Sequence, residues 1–301
     1  MTTTLTNNPG FGAEALRRDG FAIARAVFSA AEVDRFRQLI QEAKSRALSE
    51  GLFDADPRYP SLIMLRGDAL AIAELAAVDY LVLDERIVAL VKKLLGNDVL
   101  YHGDSTVQVG EGPRGFHKDN ADRGEPAGVD WQGEYGIIRF GIYLQDHAVH
   151  SGGLKVRLGS HRKVSHHVGK AKNLSTSVGD VVFWYLTTSH SGNFVRVRGA
   201  TDWCLHPRIE SLVPKGLRVP EQFERMAVFC TYGRPGPQFD HYIDYQSRRA
   251  DVINHRKYCG NTGSLDSLAK LRGVALRKPG SDYGANLTQR ADLLKHSVSI
   301  D

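Results

Sequence analysis

The chain has 301 residues, with 39 Lys and Arg against 34 Asp and Glu and a formal net charge of +5. This length and an ordinary apolar content allow one large core or two modest ones, and the mild positive balance suits an anionic ligand while carrying little weight as a nucleic-acid signature. Three widely spaced cysteines, Cys204, Cys230 and Cys259, argue against a disulfide framework and against metal binding through sulfur.

Residues 1–12 lack the basic start and apolar run of a secretory signal, and no stretch is apolar for long enough to span a bilayer, so a cytoplasmic protein with no membrane partner is expected. Phe21 to Val27 reads as a strand. Ser29 then stands three residues before Glu32, a reciprocal capping arrangement for a helix start, and Val33, Phe36, Leu39, Ile40 and Ala43 give that helix one apolar face. Asp84 is placed to cap a second helix running through Ile87, Val88, Leu90, Val91 and Leu94 to Gly96. The part from about 13 to 97 is therefore expected to be mostly helical.

After Asn97 the pattern changes to short runs rich in Val, Ile, Tyr and Phe, separated by Gly and Pro. These are Val99 to Val109, Tyr135 to Gln145, Leu154 to Arg157, Asp180 to Leu186 and Arg225 to Tyr232. Such spacing favours antiparallel strands over alternating strand and helix units. The expected fold is an all-β core with flanking α-helices, a double-stranded β-helix of the jelly-roll, cupin-like kind over about 98–235. A polar extension of short helices and loops follows over about 236–301, the whole forming one domain. Basic residues cluster from Lys155 to Lys172, with His161, His166 and His167 among them. Without interleaved aromatics this reads as a solvated face, so no nucleic-acid partner is expected.

His117-Lys118-Asp119 puts an imidazole and a carboxylate two residues apart, which in a strand places both on one face. His190, just past the run that begins at Gly179-Asp180, offers a second imidazole. Two His and one carboxylate on one side of an octahedron leave open positions that suit Fe(II), a chelating 2-oxo acid and O2. A short motif of this kind also arises by chance, and His102-Gly103-Asp104 is a second instance. His117 is preferred because it follows the Gly/Pro-rich turn 110–115 and precedes a long loop, 120–134, able to cover a substrate. His102 and Asp104 read equally as a polar pair inside the sheet or as substrate contacts, with Thr106 and Gln108 on the same side if they face inward.

At this point the residues resemble the phytanoyl-CoA dioxygenase family. The likeness runs through Asp19-Gly20-Phe21-Ala22-Ile23, His117-Lys118-Asp119, Tyr143-Leu144-Gln145-Asp146, His150-Ser151-Gly152-Gly153-Leu154-Lys155-Val156 and Gly159-Ser160-His161. It continues through Gly179-Asp180-Val181-Val182-Phe183-Trp184 and His190-Ser191-Gly192-Asn193. The resemblance implies a dioxygenase using Fe(II), 2-oxoglutarate and O2, in which His117, Asp119 and His190 are metal ligands and catalytic residues. It further implies an Arg for the distal carboxylate of 2-oxoglutarate, whose planar fork suits that group. Arg225, opening the run to Tyr232, resembles the family's strand, although its gap from His190 is longer than usual; Arg196 and Arg198 are the rivals. On this reading 198–224 is an inserted loop, a lid or part of an oligomer contact, and Ser191 either assists the cofactor carboxylate or is a turn residue. His161 is read as structural, and His147, His150, His166 and His167 as surface or turn histidines.

The implied reaction is oxidative decarboxylation of 2-oxoglutarate to succinate and CO2, coupled to hydroxylation of a C–H bond in a small or carrier-bound metabolite. The carboxylate of Asp119 favours hydroxylation over halogenation, because related halogenases lack it, with desaturation, cyclisation or epimerisation by the same oxidant as the alternative outcomes. Trp131, Arg139 and Tyr143, with His102, Asp104 and Gln108, are candidate substrate residues. A non-catalytic jelly-roll metabolite-binding or sensor protein and a basic nucleic-acid binder are the alternatives.

Overall fold

Two β-sheets of unequal size carry the fold. The computed structural model describes residues 11–50, 54–55, 59, 61–66, 81–102, 105–112, 115–249 and 263–277. Within these, twelve strands occur: β1 (Phe21–Ala24), β2 (Asp54–Ala55), β3 (Ile63–Arg66), β4 (Leu100–Tyr101), β5 (Thr106–Val109), β6 (Ile137–Tyr143), β7 (Lys155–Arg157), β8 (Ala171–Asn173), β9 (Val181–Tyr185), β10 (His190–Ser191), β11 (Met226–Gly233) and β12 (Ala275–Leu276). Nine form the larger sheet in the order β1-β9-β6-β11-β5-β3-β2, with β4 and β12 attached beside β11; the smaller sheet runs β10-β7-β8. His117 pairs with His190 as an isolated antiparallel bridge, which adds one more segment beside β10.

Alternation along the central strands gives the larger sheet two different faces. Ile138, Phe140 and Ile142 of β6, Val181 and Phe183 of β9, and Met226, Val228 and Cys230 of β11 join the large core, shared with the helices. The opposite face presents Tyr143, Val182, Trp184, Ala227 and Phe229, which pack with Leu154, Val156 and Leu174 from the side of the smaller sheet. The space between the sheets is therefore walled by a second, smaller apolar cluster.

The helix Ala30–Glu50 begins as its sequence predicts. The Ser29 amide donates to Glu32 Oε2 at 2.8 Å and the Glu32 amide to Ser29 Oγ at 3.3 Å. Val33, Ile40, Ala43 and Ala47 are buried along one stripe, while Phe36 is only partly so. Asp84 caps the helix Glu85–Leu95 by accepting from the Arg86 amide at 2.9 Å, and Gly96 ends it. Among its described residues the first third also carries strands. β1 pairs with β9, and β3 pairs with β5, so this region also extends the larger sheet at both edges. Beyond β11 lie the helices Pro237–Ser247 and Gly263–Leu271, and β12 runs parallel to β4, so the polar extension contributes a strand as well as helices.

Candidate metal centre

The backbone places the three expected ligands. The His117 amide donates to the His190 carbonyl and the His190 amide to the His117 carbonyl, each at 2.9 Å, while the Asp119 amide donates to the Leu186 carbonyl at 3.0 Å. Lys118, between the two ligands, turns the other way and donates to the Ser160 carbonyl at 2.8 Å and to the Thr187 carbonyl. One ligand atom from each of His117, Asp119 and His190 lies within 4.8 Å of the others. His117 Nε2 is 3.7 Å from Asp119 Oδ1, and His190 Nε2 is 3.4 Å from Asp119 Oδ2.

Both imidazoles are oriented by their far nitrogens. His117 Nδ1 donates to the Gly115 carbonyl and His190 Nδ1 to the Thr188 carbonyl, each at 3.0 Å, an arrangement that leaves both Nε2 lone pairs facing the shared centre. Burial, reinforced by His117, pushes His190 down to about 4 against the pull of Asp119, so its imidazole is neutral near neutral pH. Burial alone would raise the Asp119 carboxyl. The positive neighbours together, Arg139 foremost with His190, His117 and Arg249, outweigh burial and hold the group well below the usual carboxylate range. Two imidazoles and one carboxylate form a donor set that fits Fe(II).

Arg225 is buried, with its Nε donating to the Gly152 carbonyl at 3.2 Å and Nη1 to Gln108 Oε1 at 3.4 Å. Its guanidinium carbon lies 5.7 Å from the centre of the Tyr143 ring. Among the described residues no carboxylate comes within 4.0 Å of it. A buried guanidinium held by neutral groups fits an anionic ligand. Arg196, by contrast, is engaged by three main-chain carbonyls, those of His147, His150 and Thr201, and Arg198 is exposed. Ser191 is buried on β10, its hydroxyl directed to the Gly192 carbonyl at 3.4 Å.

The proposed substrate residues separate into groups. Tyr143 lies on the inner face, edge-on to Phe229 with ring centres 5.8 Å apart, and Gln108 stands beside Arg225. Arg139 donates to Asp119 Oδ2 at 2.8 Å, so the structure joins it to a metal ligand. Trp131 donates from Nε1 to the Asp122 carbonyl at 2.7 Å and packs by Lys118, as part of the loop's own framework. His102 is fully buried, edge-on to Tyr242, whereas Asp104 lies outside the described residues.

His161 donates to the Arg17 carbonyl and stacks on Tyr185, away from the three ligands. His147 lies in a turn, one of its two expected positions, but it is buried there, edge-on to Tyr143, with Nδ1 bonded to the Ser151 carbonyl. Its Nε2 and the indole N–H of Trp184, which packs 5.5 Å from His190 by ring centres, are buried without a hydrogen-bond partner in the structure. Unmatched polar atoms of this kind call for a ligand or solvent. Sequence reasoning passed over His147, Trp184 and Tyr242 as site residues. Only Trp184, at the end of the family-like run Gly179 to Trp184 and six residues before His190, carried a local signal.

No curated protein sequence matches the chain. Among solved structures it is similar to the non-haem α-ketoglutarate-dependent carbocyclase SnoK of nogalamycin biosynthesis, with 21% identity, 79% of this chain and 91% of that chain covered, and a TM-score of 0.51. It is also similar to the epimerase SnoN of the same biosynthesis, at 20% identity, 74% and 83% coverage and a TM-score of 0.50. A third is HygX from Streptomyces hygroscopicus with nickel and 2-oxoglutarate bound, at 16% identity, 73% and 85% coverage and a TM-score of 0.50. The family model described as phytanoyl-CoA dioxygenase matches residues 16–193, a span that includes His117, Asp119 and His190 and ends before Arg225. Since that span is more than half of the chain, the protein belongs to the phytanoyl-CoA dioxygenase family.

Proposed function

We propose that this protein is an Fe(II)- and 2-oxoglutarate-dependent oxygenase that hydroxylates a C–H bond of a small or carrier-bound metabolite, with His117, Asp119 and His190 holding the iron. The observation that carries this reading is the convergence of the three ligand atoms within 4.8 Å, with each imidazole oriented from behind by a main-chain carbonyl. Bound together, Fe(II), 2-oxoglutarate and O2 supply the oxidation, in which the 2-oxo acid loses CO2 to become succinate. Arg225 receives the distal carboxylate of 2-oxoglutarate. Trp184, Phe229 and Tyr143 exclude water from the space between it and the metal ligands, which strengthens every charged contact there. Ser191 stays secondary to Arg225, since its hydroxyl is turned to its own chain.

The two sheets act as the halves of a double-stranded β-helix within a single domain. Strands β5, β11, β6 and β9 make one half, and the His117 segment with β10, β7 and β8 makes the other. The metal ligands sit where the chain crosses between them, and the loop 120–134 covers the open side.

Anaerobic addition of Fe(II) and 2-oxoglutarate is expected to give a weak visible charge-transfer band that His117→Ala removes; a band that persists in the variant excludes this centre. Succinate release across a panel of metabolites then identifies substrates. A product heavier by one oxygen atom supports hydroxylation. Loss of two hydrogens or inverted stereochemistry assigns instead a reaction of the type named for SnoK or SnoN.

A further inference from the structure

The guanidinium of Arg139 is held from three directions. Nη1 donates to Asp119 Oδ2 at 2.8 Å, Nε to Thr231 Oγ1 at 3.4 Å and Nη2 to the Tyr242 hydroxyl at 3.4 Å. These partners come from the ligand segment, from β11 and from the helix Pro237–Ser247. Tyr242 is itself buried, receives the side-chain amide of Gln246 at 2.7 Å, and meets the His102 ring edge-on at 5.8 Å. A planar fork tied at three edges has little freedom, so the carboxylate it grips is ordered before any metal arrives.

We propose that Arg139 is a positioning residue for the metal-binding carboxylate, and that the helix Pro237–Ser247, outside the matched family segment, is part of the metal site through Tyr242. This inference rests on the reading of His117, Asp119 and His190 as the metal ligands. Two effects of the guanidinium oppose each other. Its charge weakens the attraction of Asp119 for a dication, while its grip holds the carboxylate in one rotamer facing the two imidazoles. The second prevails, because a carboxylate released from its anchor is free to swing away from the two imidazoles and is then lost as a ligand. Second-layer partners of metal ligands typically contribute tenfold or more to metal affinity.

The test is calorimetric titration of the full-length protein with Mn(II), without 2-oxoglutarate or substrate, alongside urea unfolding of each variant. Arg139→Gln is expected to weaken Mn(II) binding at least about tenfold, Arg139→Lys to recover part of the loss, and Tyr242→Phe to weaken binding about threefold while leaving every charge in place. Affinity unchanged or tighter in Arg139→Gln overturns the proposal, because the guanidinium then acts only as a repelling charge or not at all. Should that variant fold poorly, Tyr242→Phe decides, and wild-type affinity in it overturns the part assigned to the helix. Wild-type titration unaffected by His117→Ala is a different failure: it removes the metal centre itself and this inference with it.

Discussion

The most informative single residue is Arg225, a cation that burial makes costly and that, among the described residues, donates to the Gly152 carbonyl and the Gln108 side chain. Burial lowers its pKa, yet a guanidinium remains charged at neutral pH. A charge-assisted bond from such a group contributes about 1.5–3 kcal/mol. Arg225→Ala is therefore expected to weaken 2-oxoglutarate binding about 10- to 100-fold in an anaerobic titration of the Fe(II) protein. Arg196→Ala should instead lower the urea midpoint, since it deprives three carbonyls of their donor. The reverse pattern would return the cofactor anchor to Arg196. At this scale the sequence left Arg139 and Tyr143 as similar wall candidates. Spacing along β6 puts both on one face, but which of them meets a carboxylate depends on the position of Asp119, twenty residues earlier in the chain.

Among the elements, the segment 198–224 is tied down at its middle. Its short helix Pro207–Glu210 brings Glu210 to Lys155 of β7, with Oε1 2.7 Å from Nζ and both side chains fully buried. The same oxygen accepts from the Val195 amide at 3.0 Å, and the Lys155 ammonium also donates to the Leu205 carbonyl. Lys155→Met leaves a buried carboxylate without its cation and is expected to destabilise the fold by about 3–5 kcal/mol in urea unfolding. The double variant Lys155→Met/Glu210→Leu should recover most of that loss. Equal destabilisation in both variants would mean that packing, and not charge, anchors the segment. Lys155 was legible in a strand run and a family-like motif, but its charge was read with a basic cluster as a solvated face. Its burial follows from a partner fifty-five residues away.

The loop 120–134 and the helix Pro237–Ser247 also form one unit. Asp122 bonds to His241 at 2.8 Å, and Arg123 donates to the Tyr245 hydroxyl at 2.6 Å. The loop's length and position were readable in the sequence. Its attachment to the polar extension was not, because neither segment carries a motif.

Over the whole molecule, two buried histidines outside the ligand set predict how stability varies with pH. Burial, with Arg225 nearby, pushes His147 down to about 3, and burial pushes His161 down to about 4, both from an ordinary value of 6.5. With folded values below unfolded ones, the unfolded chain binds protons first as the pH falls. Their stability contribution is complete above about pH 7 and is lost progressively from about 6.5 toward 4, at up to about 1.4 kcal/mol per pH unit for each histidine. Urea midpoints between pH 7.5 and 5 should fall less steeply in His161→Asn than in the wild type. Parallel slopes would show that His161 is protonated in the folded protein.

The amino-acid sequence by itself determined what depends on near neighbours: the capped starts at Ser29 and Asp84, the apolar stripes of those helices, the alternating strands around β6, β9 and β11, and the His117, Asp119 and His190 set through its resemblance to a family. Caps and periodicities act over a few residues, so their signals survive in one dimension. Tertiary structure alone decided that β1 and β3 extend the larger sheet, that His147 is buried, and that Arg139 joins Asp119 to Tyr242 across more than a hundred residues. Such pairings are chosen by sheet register and by where a buried charge finds its partner, quantities fixed only after the chain has closed on itself.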